Sequence, residues 1–291
     1  MTARVGSRVD GVEESIYKPY NGRIIWMREE TPDITTFRVA LEEHEVVDSF
    51  TSFKPGNFVL ASVIGYGEAP FAISSPPSQR GSIEISVKRL GVLTQVLHEL
   101  CVEDRIGLRG PYGNDFLRGE PKGKNLLFVA GGIGMAPIRS LIHHVLDDRK
   151  SYGEITILYG AKSIADIPYK KEFKRWDRMD GVDVVLTVDP GGETPDWDGR
   201  IGYVPNILTE LNTSPKNCLA FVCGPQIVIK LSAQTLSNWG FKSRDIISTL
   251  ENRMKCGIGK CGRCNVGHIY VCKHGPVFTY EEIMKMPSSD Y

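Results

Sequence analysis

Short runs of alternating apolar and polar residues fill the N-terminal third of the chain, a pattern typical of half-buried strands. Turns rich in Pro and Gly separate these runs, for example Lys54-Pro55-Gly56. The pattern predicts strands at residues 22–27, 35–41, 57–64, 82–88 and 105–109, with one helix at residues 94–100. Several short strands at this spacing favour a small antiparallel β-barrel.

The pattern changes near residue 120, where continuous apolar runs begin to alternate with helical periodicity. It predicts buried strands at residues 126–130, 155–159, 182–188 and 218–223, and helices at residues 136–146, 170–176, 205–211 and 226–239. Strands and helices that alternate in this way form a parallel sheet covered by helices. Beyond residue 250 the chain is rich in Gly and Cys, which indicates a third, small module.

These patterns predict four parts, which are an N-terminal arm, an antiparallel barrel, a parallel-sheet α/β domain and a C-terminal module. Their expected bounds are 1–17, 18–118, 119–250 and 251–291. With 291 residues, of which 41% are hydrophobic, the chain can bury a sizeable core in each of the two large parts.

Charge and chain ends narrow the classes of partner. The 35 basic and 35 acidic side chains cancel, which argues against a broad nucleic-acid-binding surface. No apolar run approaches the roughly 20 residues of a membrane span, and no apolar secretory segment is visible at the N-terminus. The seven cysteines are an odd number and form a poor disulfide framework. We therefore expect a cytoplasmic protein with no nucleic-acid partner and no membrane span.

Four of the cysteines lie in one C-terminal segment, as Cys256-x4-Cys261-x2-Cys264 followed by Cys272. The first three have the spacing of plant-type [2Fe–2S] ligands, with a fourth supplied later in the chain. Glycines allow tight turns around a cluster, and basic side chains offset its negative charge; these residues are Gly257, Gly259, Gly262, Lys255, Lys260, Arg263 and Lys273. A structural zinc held by four cysteines, or a set of free thiols, is the alternative.

A glycine loop follows the predicted strand at residues 126–130, with the sequence Gly131-Gly132-Ile133-Gly134-Met135-Ala136-Pro137. Glycines at such a turn let the pyrophosphate of a dinucleotide approach the positive N-terminus of a helix. The spacing differs from G-x-G-x-x-G, and a tight turn without a ligand is the alternative. Cys223-Gly224-Pro225 ends a later strand, so both turns are expected to face one cleft beyond the carboxyl ends of the strands.

Two segments of the predicted barrel are also candidate binding elements. Residues 69–76 are extended and partly polar, and Gly91-Val92-Leu93-Thr94 opens a helix. Backbone amides at that helix start, together with the Thr94 hydroxyl, are suited to holding a phosphate. Taken alone, these segments favour the alternative, which is an ordinary strand and a capped helix without a ligand.

Taken in chain order, these segments resemble the ferredoxin–NADP reductase superfamily over residues 18–250, with the glycine loop and the Cys-Gly-Pro turn as specific marks. The cysteine segment narrows the resemblance. The chain is similar to gamma subunits of soluble hydrogenases (sulfhydrogenases), and also to the electron-transfer subunit of dihydroorotate dehydrogenase and to one of the subunits of anaerobic sulfite reductase. This resemblance implies FAD, a nicotinamide nucleotide (NAD(P)H) and a [2Fe–2S] cluster as cofactors.

The resemblance also implies which residues bind these cofactors. The expected flavin-binding residues are Pro70, Phe71, Ala72, Ile73, Ser74, Ser75, Val87, Lys88, Arg89, Gly91, Val92, Leu93 and Thr94, with Ser74 or Ser75 beside the isoalloxazine ring. The expected nicotinamide-nucleotide residues are Gly131, Gly132, Gly134, Met135, Ala136, Pro137, Cys223, Gly224 and Pro225. Cys256, Cys261, Cys264 and Cys272 are expected to ligate the cluster, and Ser74 and Cys223 are the candidate catalytic residues.

The chain departs from the superfamily at its Arg-Pro-x-Ser motif, where it has Ala69 in place of the arginine and Ala72 in place of the serine. The flavin pyrophosphate therefore needs another cation, for which Lys88 or Arg89 is the candidate. Ser74 or a backbone amide is the candidate hydrogen-bond donor to the flavin edge. FMN becomes the alternative flavin.

The resemblance implies a sequence of carriers from nicotinamide to flavin to cluster and then to a partner, so that two-electron hydride transfer is converted into single-electron transfer. Nothing in the sequence resembles a site for hydrogen, sulfite or dihydroorotate. That chemistry is expected in partner subunits, with a hydrogenase as the main hypothesis. The alternatives are a stand-alone NAD(P)H-dependent ferredoxin or sulfur reductase and a zinc-stabilised, non-catalytic binding module.

Overall fold

A computed structural model describes residues 8–9, 12–13, 15–119, 121–211 and 213–287. Most of the predicted N-terminal arm lies outside these residues, and the described part of it contains the paired strands β1 (Arg8–Val9) and β2 (Val12–Glu13). Within the described part of the chain, no helix is both long and apolar enough to cross a membrane.

Six antiparallel strands form the first large sheet. They are β3 (Tyr20–Thr31), β4 (Ile34–Leu41), β5 (Phe58–Val63), β6 (Gly67–Ala72), β7 (Ser82–Lys88) and β8 (Arg105–Tyr112), in the order β6-β5-β8-β3-β4-β7. Helix α1 (His44–Thr51) follows β4, and α2 (Val92–Glu99) follows β7. A bridge between Ile73 and Ile85 connects the two ends of the sheet, so the predicted barrel is confirmed.

The second sheet contains the predicted parallel strands. Its first elements are β9 (Asn125–Gly131), α3 (Met135–Asp147), β10 (Ile155–Ala161), α4 (Lys170–Trp176) and β11 (Val182–Val188). They are followed by β12 (Arg200–Ile201), α5 (Val204–Glu210), β13 (Cys218–Cys223), α6 (Gln226–Asn238) and β14 (Ile246–Thr249). Apolar residues cover both faces of the sheet, with α3 and α4 on one face and α5 and α6 on the other. The predicted fold class is therefore confirmed.

The C-terminal segment returns to the second sheet. It contains β15 (Asn265–Val266), β16 (Ile269–Tyr270), α7 (Val271–His274), β17 (Val277–Thr279) and α8 (Tyr280–Met284). Strand β17 pairs antiparallel with β14, so the sheet has the order β12-β11-β10-β9-β13-β14-β17. The backbone of Val277 also exchanges two hydrogen bonds with the Asn114 side chain, at 2.7 and 2.9 Å. The cysteine segment thus begins and ends at neighbouring strands.

Candidate functional site

The glycine loop and the Cys-Gly-Pro turn are in direct contact. Strands β9 and β13 are parallel neighbours, with Cys223 opposite Ala130. The approach is so close that a Cβ atom added to Gly134 would lie 2.6 Å from the carbonyl carbon of Cys223. Both turns lie at the carboxyl ends of adjacent strands, as expected, and their role in one nucleotide cleft stays a prediction.

Only part of the glycine loop is available to a ligand. Gly132, Ile133 and Pro137 are partly exposed, whereas the side chains of Met135 and Ala136 are buried. Gly132 has a φ of +55°, a conformation that favours glycine. Met135 and Ala136, expected to bind the nucleotide, instead anchor the first turn of α3 against the sheet.

The side chain of Cys223 does not face the cleft. It is 3% exposed, and its Sγ lies 3.0 Å from the Thr249 hydroxyl. Burial raises the pKa of this thiol to about 12, so it is neutral at physiological pH. The prediction that Cys223 is a catalytic residue beside the nicotinamide is corrected, because the accessible part of the turn is Gly224 and Pro225.

The expected flavin contacts Ser74 and Ser75 are both completely buried. Ser74 Oγ lies 3.1 Å from Ser86 Oγ, and its carbonyl accepts a hydrogen bond from Arg139. Ser75 Oγ accepts a hydrogen bond from the Glu84 amide, and the Ser75 carbonyl accepts one from the Ser140 hydroxyl. These two residues join the barrel to α3 through their hydrogen bonds, and a contact of Ser74 or Ser75 with the isoalloxazine ring stays a prediction.

Two further residues expected to contact the flavin belong to the barrel core. The side chains of Ile73 and Val87 are 1% and 0% exposed and pack in the same apolar cluster. Pro70, Phe71 and Ala72 on β6 are partly exposed. Among the residues from 70 to 75 that are expected to bind the flavin, the accessible ones are therefore those of β6.

The Thr94 hydroxyl forms hydrogen bonds at the start of α2 and stabilises that end of the helix. Its Oγ1 accepts hydrogen bonds from the amides of Leu90 and Gly91, at 2.8 and 2.9 Å, and donates to the Gly91 carbonyl. The prediction that the Thr94 hydroxyl holds a phosphate is corrected. The amides of Val92 and Leu93 come next in the first turn, where backbone N–H groups have no partner within the helix.

A cavity of about 370 Å³ connects β6 with the start of α2. Its walls include Glu68 and Ala69 from the strand side, residues 90–94 from the helix side, and Lys255 from the cysteine segment. A second open cavity, of about 620 Å³, lies against Arg89 and the same helix start. These two cavities flank the helix N-terminus that is expected to meet the flavin phosphates.

The four cysteines of the C-terminal motif are arranged as two pairs. Cys256 has the Cys261 thiol as a hydrogen-bond partner, and Cys272 has the Cys264 thiol. Among the described residues, no three His, Cys, Asp or Glu side chains converge as ligands of one metal ion. Four cysteines with this spacing suit a two-iron cluster, which takes two thiolates on each iron.

The cysteine loop directs backbone N–H groups at its sulfur atoms. Gly259 N lies 3.2 Å from Cys272 Sγ, and Lys260 N lies 3.2 Å from Cys256 Sγ. Burial opposes ionisation of Cys256, but backbone donors that include Lys260 outweigh it and lower its pKa to about 6. A thiolate that is stabilised in this way is the form that binds iron.

Burial differs sharply among the four cysteines. Cys256, Cys264 and Cys272 belong to an apolar cluster that also includes Phe58 and Leu60 of β5. Cys261 is exposed, in contrast. One side of the motif therefore rests on the barrel, and the other side faces outward.

Arg109 connects the barrel to the cysteine loop, a contact that the sequence pattern did not reveal. Its side chain is 6% exposed, and two of its nitrogens bind the Glu68 carboxylate. Arg109 Nη1 also donates to the Cys256 carbonyl at 3.3 Å and to the Tyr112 hydroxyl at 3.3 Å. A charged residue in an amphipathic strand gives no sign of this role, because the partner is 147 residues away.

Several other polar side chains form hydrogen bonds or short contacts within the protein. His143 Nε2 lies 3.1 Å from Glu172, and His274 Nδ1 accepts a hydrogen bond from the Tyr270 amide. Asp166 accepts a hydrogen bond from Ser163. Of the cysteines outside the C-terminal motif, Cys218 is buried and Cys101 is exposed.

Three known domain families match successive parts of the chain. Residues 22–116 match the oxidoreductase FAD-binding domain, and residues 128–234 match the oxidoreductase NAD-binding domain. Residues 251–284 match the iron–sulfur cluster binding domain of dihydroorotate dehydrogenase B. The chain is thus an oxidoreductase with sites for FAD, a nicotinamide nucleotide and an iron–sulfur cluster.

Several known proteins match about nine-tenths of the chain. The chain is 39% identical to the gamma subunit of sulfhydrogenase 1 from Pyrococcus furiosus, over 89% of each chain. It is 36% identical to the gamma subunit of sulfhydrogenase 2 from the same organism, over 91% of this chain and 96% of the relative. It is also 36% identical to a probable electron-transfer subunit of dihydroorotate dehydrogenase B (NAD(+)) from Methanocaldococcus jannaschii, over 90% of each chain.

Solved structures show the same fold at low identity. A structure described as an NADH-dependent reduced ferredoxin–NADP oxidoreductase superposes with a TM-score of 0.72 and 21% identity, covering 92% of this chain and 90% of that one. The FAD/NAD-binding domain of nitric oxide dioxygenase from Vibrio cholerae superposes with a TM-score of 0.70 and 19% identity, covering 79% and 98%. Together with the sequence relatives, these likenesses show that the chain belongs to the family of flavin and iron–sulfur electron-transfer subunits that includes sulfhydrogenase gamma subunits and dihydroorotate dehydrogenase B electron-transfer subunits.

Proposed function

We propose that this chain transfers electrons between NAD(P)H and the catalytic subunit of a multi-subunit hydrogenase, by way of FAD and a [2Fe–2S] cluster. Its similarity to two sulfhydrogenase gamma subunits over about nine-tenths of the chain supports a hydrogenase partner. The observation that carries the proposal is the packing of the cysteine loop on the strand next to the flavin-binding strand.

That packing brings the two electron carriers together. Leu60 on β5 belongs to the apolar cluster that holds three of the cysteines, and Leu60 pairs directly with Pro70 on β6. Neighbouring strands lie about 4.8 Å apart. A cluster in the loop and a flavin against Pro70 would be separated by little more than one strand, a separation suited to direct electron transfer.

We assign the cluster ligands as Cys256, Cys261, Cys264 and Cys272. The pairing of Cys256 with Cys261 and of Cys264 with Cys272 supplies two thiolates to each iron. The amides of Gly259 and Lys260 stabilise the charge on the ligand sulfurs. A two-iron cluster is therefore the type that these residues suit.

The outward side of the loop is our candidate for the electron exit. Cys261 is exposed, and the neighbouring Lys260 and Arg263 are exposed as well. Three buried ligands would hold the cluster against the barrel, which leaves the Cys261 side as the exposed approach for a partner subunit. A basic rim there favours a partner with an acidic docking face.

The chemistry of the reaction is supplied by the bound flavin, which exchanges two electrons with a nicotinamide and single electrons with a cluster. The chain positions the cofactors and limits access to them. The contact between Gly134 and the Cys223 backbone fixes the nucleotide cleft, and the neutral Cys223 thiol adds no charge there. Arg139 and Ser140 hold α3 against the barrel residues that follow β6. A cytoplasmic location stays a prediction.

Anaerobic purification of the full chain from its native cells tests the proposal. We expect the chain to be recovered with a catalytic hydrogenase subunit, to show flavin and iron–sulfur absorption, and to reduce NAD(P)⁺ with hydrogen as donor. A colourless protein that contains zinc would contradict the redox assignment. A yellow-brown protein that reduces ferredoxin with no partner present would contradict the hydrogenase assignment.

A further inference from the structure

The flavin phosphates meet no arginine at the position where the superfamily has one, because that position is Ala69. Glu68, directly beside it, carries a negative charge that is already balanced by Arg109, since Nε of the guanidinium lies 2.8 Å from the carboxylate. The strand itself therefore brings no free positive charge to the phosphate site. A dianionic pyrophosphate in this position requires a cation from another element.

Lys255 is the cation that lines the cavity between Ala69 and the start of α2. Its side chain is exposed, and it forms no ion pair within the described part of the chain. The same cavity of about 370 Å³ is lined by Gly91 and Val92, whose helix start directs backbone N–H groups outward. Donor amides and an ammonium group that line one cavity form an anion-binding arrangement.

The two cations expected from the sequence are less suitable. Lys88 Nζ lies 3.2 Å from the Asp33 carboxylate, so its charge has a partner. Arg89 donates to the Pro32 carbonyl at 3.1 Å and lines the other cavity, not the one that Ala69 lines. Neither Lys88 nor Arg89 lines the cavity beside Ala69.

We infer that Lys255 replaces the missing arginine and binds the pyrophosphate of FAD. The inference rests on the FAD-binding domain of this family and not on the proposed hydrogenase partner, so either can fail alone. Lys255 immediately precedes the proposed cluster ligand Cys256, whose carbonyl is held by Arg109. The cysteine segment thus contributes directly to flavin binding, and flavin affinity depends on the ordered position of the cluster loop.

The test is the dissociation constant of FAD, measured by fluorescence titration of the full chain with its cluster present and its flavin removed. Lys255→Gln should weaken FAD binding by about tenfold, and Lys255→Arg should restore most of it. Lys260→Gln is the matched control, since Lys260 is an exposed lysine of the same loop that does not line the cavity. Raising KCl from about 0.05 M to about 0.5 M should weaken FAD binding more in the native chain than in Lys255→Gln.

A double variant keeps the inference testable if Lys255→Gln also disturbs the cluster. Ala69→Arg combined with Lys255→Gln returns the charge to its place in the superfamily and should recover FAD affinity, whether or not the iron content recovers. A failure of this double variant to recover affinity would overturn the inference. So would a dissociation constant for Lys255→Gln equal to that of the native chain, or an equal loss in Lys260→Gln.

Discussion

Arg139 and Glu84 form an ion pair across the boundary between the two sheets, with 2.7 Å between Nη1 and Oε2. Both side chains are nearly inaccessible, at 7% and 2% exposure. The same guanidinium binds both oxygens of Glu172 at 2.7 and 2.8 Å and donates to the Ser74 carbonyl. One residue of α3 therefore ties the barrel to α4.

Replacement of Arg139 by methionine should strongly destabilise the protein. It would remove the buried cation that Glu84 and Glu172 share, at a cost of about 3 kcal/mol. The partners that remain are more exposed, namely Arg38 for Glu84 and Arg28 and His143 for Glu172. Thermal unfolding followed by circular dichroism should show a midpoint lower by about 6 °C or more. Arg23→Met is the control, because Arg23 and Glu103 are also 2.8 Å apart but are 45% and 67% exposed. Equal losses in both variants would contradict the importance of burial.

Acid should weaken the fold partly through Glu172. Burial opposes ionisation of this carboxyl, but hydrogen bonds from His143 and Arg139 outweigh it and hold its pKa well below the usual range. A carboxyl with a lowered pKa in the folded state stabilises above its unfolded value of about 4.3, and this contribution is lost as the pH falls further. The free energy of unfolding should therefore decline more steeply with acid in the native chain than in Glu172→Gln.

Urea titrations at a series of pH values measure this difference. Glu281→Gln serves as the comparison, since the Glu281 side chain is 46% exposed and forms its ion pair with Lys285, at the end of the same helix. It should keep the pH dependence of the native chain. If Glu172→Gln also kept it, Glu172 would not be the group responsible.

Loss of one proposed cluster ligand should separate the two halves of the electron path. Cys261→Ser should abolish the cluster-dependent transfer of electrons from NAD(P)H to an external one-electron acceptor. Reduction of the flavin by NAD(P)H should continue at the native rate. Stopped-flow absorbance resolves the two steps. Cys101→Ser is the control, as Cys101 is likewise exposed but lies in the barrel. Loss of flavin reduction in a folded Cys261→Ser protein would contradict the order of carriers.

Thiol chemistry should distinguish Cys223 from Cys101. The pKa of Cys223 is raised to about 12 and its side chain is buried, whereas Cys101 is exposed. Alkylation by iodoacetamide requires an accessible thiolate. Mass spectrometry of the folded chain at neutral pH should find Cys101 labelled and Cys223 labelled only after denaturation. Comparable labelling rates would mean that Cys223 faces the cleft after all.

Much of the fold follows from local patterns. The predicted helix at residues 170–176 and the strands at 182–188 and 218–223 have the same bounds as α4, β11 and β13. The pattern predicts β6 only as an extended segment, because Pro70 lacks the N–H group that a strand interior uses. The structure tolerates this proline because β6 lies at one end of the sheet order. Helix α1 is not predicted, since Val46 and Val47 are β-branched neighbours and no side chain caps its start.

The site is harder to predict than the fold. A sequence places Ser74 two residues from β6, but only the packing of α3 decides that its carbonyl binds Arg139 instead of leaving the residue free for a ligand. Lys255 is a similar case. Its distance along the chain from Ala69 conceals a shared cavity, which exists only because the C-terminal segment folds back over the barrel.

Because strand β17 belongs to the second sheet, the C-terminal segment cannot be removed without disturbing that sheet. A protein truncated after residue 250 would lose not only the cysteines but also the partner of β14, leaving that strand with a row of unpaired N–H and C=O groups. Asn114 would lose the backbone of Val277 at the same time. Such a fragment would be prone to aggregate, so a flavin reductase without its cluster is better obtained by ligand substitution than by deletion.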